Sequence, residues 1–115
     1  MMADLANQAA WTAREADVDG LSVADAAAVF AGAPQRKSDS LDDVSVRANN
    51  LTSAAFAHVA VDAYARRIGQ LDRESAHTTV RDLINDLHHY CDALGIDWGT
   101  VNDDSHYRDE VDGTI

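Results

Sequence analysis

The sequence lacks most of the features by which a small protein declares a chemistry. It holds a single cysteine, Cys91, so no internal disulfide can form. Proline occurs once, and there are only seven aromatic residues, so the core cannot rest on large rings. Lysine occurs once, at Lys37, and glutamate only at Glu15, Glu74 and Glu110. No apolar run approaches the roughly 20 residues that a membrane-spanning helix needs. The first residues include Asp4 and no basic stretch, which does not read as a secretory leader, so a cytoplasmic location is expected. Gly-x-Ser-x-Gly, P-loop and dinucleotide fingerprints are all missing.

What is present is alanine, valine and aspartate. Hydrophobic residues make up 46% of the 115-residue chain, but most are small, so any helices must pack closely. That length makes one domain the default. Acids outnumber bases 20 to 9, giving a formal net charge of −11. Binding to nucleic acid normally uses clustered Lys and Arg, so free nucleic acid is excluded as the expected partner. A basic protein surface is the partner such a charge would suit.

The patterning predicts an all-α fold, a small bundle of four to five helices. Leu5, Ala9, Trp11 and Ala16 place a first helix over 1–19, ended by Gly20. Ser22 and Asp25 have capping-box spacing for a short helix over 23–31, stopped by Gly32 and Pro34. Residues 33–40 have no apolar periodicity and read as a linker. A capping box at Ser40–Asp43 opens the next helix, with Leu41, Val44, Ala48, Leu51, Ala55 and Val59 on one face. Asn49 and Asn50 mark a bend or break in it. Over 54–68 it is apolar on several faces and is expected to be central and buried. The strongest element is 75–94. Val80, Leu83, Ile84, Leu87, Cys91 and Leu94 form an apolar stripe expected to face the core. Gly95 and Ile96 give a Schellman ending, and Asp97 caps a final helix from Trp98. Residues 1–35 thus form a helical extension and 40–111 the helical core, together one compact domain.

Part of this pattern is familiar. The segments AlaTyrAlaArgArgIleGly at 63–69, ThrValArgAspLeuIleAsnAspLeuHisHisTyrCysAspAlaLeuGlyIleAspTrp at 79–98, and His106-Tyr107 resemble a group of short phage and mobile-element proteins. Their shared pattern is close to Asp-Leu-Leu-x-Asp-Leu-x-His-(Trp/Tyr)-Cys-Asp, then Gly-x-Asp-(Phe/Trp), then His-Tyr. The resemblance covers about residues 55–110. It implies a helical module and a genomic context, and it carries no assigned activity.

Four constellations invite a chemical reading. The polar face of 75–94 presents Asp82, Asp86, His89 and Asp92, the candidate partner-binding residues. His89 and His106, with Asp86, would form a metal site if the last helix folded back on 75–94. However, His88 and His89 sit about 100° apart around a helix, and no zinc spacing is present, so neither a metal nor any cofactor is expected. Glu15, Asp17, Asp19 and Gly20 match the start of a calcium loop, but Ala26 stands where the bidentate glutamate belongs. Asp82-Leu83-Ile84-Asn85-Asp86 resembles the acidic helix of all-α nucleotide pyrophosphohydrolases, without their second motif.

The sequence therefore predicts no catalytic residues. The leading expectation is a non-enzymatic acidic protein that binds a host protein, its carboxylates imitating nucleic-acid charge, as in anti-defence or anti-CRISPR inhibitors. One alternative is a metal-dependent nucleotide hydrolase using Asp82, Asp86 and His89. Another is a structural or assembly module whose Ala-rich helices form a homodimer.

Overall fold

A computed structural model describes residues 20–111. The helix expected over 1–19, and the calcium-loop positions 15–19, lie outside the described residues. Within them the fold is all-α: α1 (Val23–Phe30), α2 (Asp43–Ile68), α3 (Ala76–Leu94), α4 (Trp98–Val101) and α5 (Ser105–Val111). No β-strand occurs among the described residues, and none of the described helices is long and apolar enough to cross a membrane.

The helix boundaries follow from capping chemistry. The Ser22 hydroxyl accepts the Asp25 N–H at 3.0 Å and opens α1. Ser75 accepts the Thr78 N–H at 3.1 Å at the start of α3, and Asp97 accepts that of Thr100 at 3.2 Å at the start of α4. The cap of α2 is Asp42 rather than Ser40, since its carboxylate accepts the Ser45 N–H at 2.8 Å. The Ser40 hydroxyl is instead committed to the Asp42 carboxylate. Gly69 and Gly95 end α2 and α3 in the left-handed conformation, at φ 75° and 71°. At each, the following N–H bonds back to a last-turn carbonyl: Gln70 to Ala65 and Ile96 to Cys91, both at 2.8 Å. Gly32 takes no such conformation: α1 ends through Ala31, which remains right-handed.

Asn49 and Asn50 do not break α2. Asn49 turns its amide outward onto the preceding loop. Its Oδ1 accepts the Ser38 N–H at 2.7 Å, and its Nδ2 donates to the Ser38 carbonyl at 2.9 Å. One turn on, the fully buried Thr52 donates its hydroxyl to the carbonyls of Pro34 and Ala48. Side-chain bonds thus return the 31–42 loop to α2, although it has few apolar groups of its own.

The long α2 touches α1, α3 and α5, and α1 also touches α3. A short antiparallel pairing joins the segments before α1 and α3, with Ala76 N–H donating to Leu21 and Ala24 N–H to Leu71. The apolar centre is small: Val23, Ala26, Leu51, Ala65 and Cys91.

Two expectations about burial are corrected here. The stripe on α3 is not core as a whole. Cys91 is buried and Leu83 half-buried, but Val80, Ile84, Leu87 and Leu94 are 38–59% exposed. Likewise α2 is central but not buried all round, since Phe56 and Val59 are exposed. The reason is how α3 is turned. Its first turns dock through hydrogen bonds to Gln70 and Tyr64, which draw the polar flank of α3, not its apolar stripe, toward α2.

Candidate functional site

The polar flank of α3 is built on a side-chain network. The Gln70 amide, just past the end of α2, bridges two residues of α3. Its Oε1 accepts the hydroxyl of the fully buried Thr79 at 3.1 Å, and its Nε2 donates to Asp82 at 3.2 Å. One turn further, Tyr64 Oη donates to the Asp86 carboxylate at 2.6 Å. That bond, with desolvation and the negative charges of Asp86 and Asp82, pushes the Tyr64 phenol from 10.0 up to about 12. Asp82 and Asp86 therefore tie α3 to Gln70 and to Tyr64 of α2.

The remaining sequence candidates are placed apart. His89 and Asp92 are both exposed, and His88 stands 4.0 Å from Asp92 one turn away. His88 is also stacked on Trp98 of α4, ring centres 4.6 Å apart and 11° from parallel. The condition for a shared site, a last helix folded back on α3, is not met: α5 packs on α2. His106 consequently does not meet His89 or Asp86, and it pairs with Glu110 at 2.9 Å. Among the described residues no group of three or more His, Cys, Asp or Glu side chains is positioned to hold a metal ion. Ser22 and Ala26, which would occupy later positions of a calcium loop, are the cap and a buried residue of α1.

An open cleft lies where α4 meets α3, lined by Arg81, Ile84, Asn85, His88, Trp98 and Asn102. It offers hydrogen-bonding groups and an indole face.

Outside the polar flank, carboxylates dominate the surface. Of the fifteen acids among the described residues, all but Asp62 and Asp82 are exposed. They are densest at the C-terminal end, where Asp92, Asp97, Asp103, Asp104, Asp109 and Glu110 stand against one arginine, Arg108. Arg108 is itself paired with Asp104 at 2.9 Å. Asp97 and Asp103 are held below the usual carboxylate range, each first by a hydroxyl, of Thr100 and Ser105, and then by a backbone N–H. This acidic end was not singled out by motif reading. Its signal in the sequence was density of charge rather than spacing.

No family model, no curated protein and no solved structure matches this chain.

Proposed function

We propose that this is a non-enzymatic binding protein whose acidic surface engages a basic surface on a partner protein. The observation that carries the reading is the exposure of the carboxylates, concentrated between Asp92 and Glu110 with a single arginine among them. A field of one sign raises the encounter rate with a basic partner. Asp92 and His89 are exposed on α3, while Asp82 and Asp86 dock α3 against Gln70 and Tyr64. Exposed carboxylates on short helices are also suited to entering a groove built for phosphates. The resemblance of residues 55–110 to short phage and mobile-element proteins supports a partner in the host cell, and an inhibitory role of the anti-defence kind.

Affinity capture tests this reading. The full chain is immobilised and exposed to bacterial lysate at about 0.05 M and about 0.5 M salt, a change that shortens the screening length severalfold. Captured proteins are identified by mass spectrometry. The reading expects a basic protein retained at low salt and released at high salt. Capture that is indifferent to salt, or confined to small acidic metabolite-binding enzymes, would count against it.

A further inference from the structure

Arg81 is a cation that its own helix leaves uncompensated. Arg66 and Arg108 each pair with an acid four residues earlier, Asp62 and Asp104. The residues three and four away from Arg81 on α3 are His77, Thr78, Ile84 and Asn85, none of them acidic. Among the described residues the Arg81 guanidinium makes no ion pair or hydrogen bond. Arg81, Ile84, Asn85 and His88 recur at three-, four- and seven-residue spacing, so they share one face of α3. That face forms the open cleft which α4 completes with Trp98 and Asn102. We propose that this cleft binds a planar aromatic ring carrying a carboxylate or phosphate.

Charge is the first argument. The chain carries a net charge of −11, yet the lining of this cleft holds an arginine and no carboxylate among the described residues. Neighbouring acids are engaged elsewhere: Asp82 with Gln70, Asp86 with Tyr64 and Asp97 with Thr100. Asp92 stands 4.0 Å from His88, at the opposite end of this face from Arg81. The anionic group is therefore placed at the Arg81 end, where the guanidinium can hold it through two parallel N–H bonds. The second argument is unspent hydrogen bonding. The side-chain amides of Asn85 and Asn102 make no hydrogen bond among the described residues, and each offers donors and an acceptor to the edge of a ring. The third is shape. His88 and Trp98 are stacked with ring centres 4.6 Å apart, 11° from parallel, which gives the cleft a flat aromatic wall. Its volume of about 360 Å³ suits one substituted ring system. None of this depends on the acidic surface assigned to partner binding.

Titration of the isotope-labelled full chain, followed by the nuclear magnetic resonance signals of the Trp98 indole and the Asn85 and Asn102 amides, tests the proposal. The probes are AMP and indoleacetate, with adenosine and indoleacetamide as their neutral counterparts and inorganic phosphate and acetate as anions without a ring. Salt is held at about 0.15 M, where the field of the chain's distant acids is screened beyond about 8 Å. At least one ring acid should saturate these signals with a dissociation constant of about 0.1–1 mM, as suits an open cleft. Its neutral counterpart should bind about tenfold or more weakly, and Arg81→Gln should erase that difference. Asn102→Ala, a second variant, should weaken charged and neutral ring compounds alike by about threefold or more. Circular dichroism confirms that both variants are folded. Tighter binding of AMP would assign the site to phosphate-bearing rings, and tighter binding of indoleacetate to aromatic carboxylic acids. No saturable shift from either ring acid up to about 10 mM would overturn the proposal. So would phosphate or acetate binding as tightly as the ring acids, or an affinity that Arg81→Gln leaves unchanged.

Discussion

Tyr64 on α2 donates its hydroxyl to Asp86 on α3 across 2.6 Å, the shortest tie between the two longest helices. The Tyr64 phenol is raised to about 12, first by that bond, because ionisation would place a phenolate against a carboxylate. A folded-state value above the ordinary 10.0 means that the contribution is fully present below pH 10 and is lost as pH rises toward 12. Alkaline difference spectroscopy near 295 nm, comparing the protein with Tyr64→Phe, should show the missing phenol titrating near 12. A missing phenol that titrates near 10 would show that the bond is not made in solution.

The opposite sign holds at the start of α2. Asp42 is held below the usual carboxylate range, first by the Ser40 hydroxyl and then by the N–H and hydroxyl of Ser45. A lowered folded-state value gives stability that is present above about pH 4, the unfolded aspartate value, and lost as pH falls through the folded one. Asp42→Ala should lower the melting temperature at pH 7. The gap between variant and parent should close as the pH is taken down to 2. A gap that persists at pH 2 would assign the effect to helix propensity rather than to the charged cap.

These two residues also show what the sequence could and could not convey. Helix ends are local chemistry, so Ser22, Ser75, Gly69, Gly95 and Asp97 were legible as punctuation before any fold was known. Asp42 was missed in favour of Ser40, because both lie in a run of side chains able to cap and only their mutual bond decides between them. Asn49 was read as a breaker because its amide competes with the backbone. Here that amide finds Ser38, eleven residues back, which no local rule could anticipate. The stripe on α3 was read correctly as a stripe but not as to what it faces. Periodicity identifies an apolar face, whereas its partner depends on which hydrogen bonds dock the helix. Asp82 and Asp86 were legible as polar positions, but their engagement with Gln70 and Tyr64 is tertiary.

Thr52, like Asn49, ties the 31–42 loop to α2 through its side chain. It is fully buried, and its hydroxyl is the group in reach of the Pro34 carbonyl, at 2.9 Å. Thr52→Val keeps the shape and removes the donor. The loss should be about 1–2 kcal/mol, the range for stranding a buried acceptor, read from urea unfolding. Limited proteolysis should then cut within residues 31–42 sooner than in the parent. Unchanged stability would mean that the loop carbonyl finds water instead.

Val23 should report on how far α1 belongs to the fold. It is fully buried where α1 meets α2 and α3. Val23→Ala removes two methyl groups and should cost about 2 kcal/mol, roughly 0.8 kcal/mol for each plus the cavity left behind. If α1 were a loosely attached extension, the urea midpoint would not move.

The central claim is that exposed carboxylates at the C-terminal end of the chain carry binding to a basic partner. Its most direct test is the rate of association with the captured partner, measured across salt for the protein and for a variant with Asp92→Asn, Asp104→Asn, Asp109→Asn and Glu110→Gln. These changes leave the capping carboxylates Asp42 and Asp97 and the docking carboxylates Asp82 and Asp86 in place. Long-range charge acts on encounter more than on dissociation. Association of the parent should therefore fall about tenfold or more between 0.05 M and 0.5 M salt, as screening tightens. The variant should associate slowly at every salt concentration, with little change in its dissociation rate. Equal association rates for parent and variant, unaffected by salt, would contradict the account.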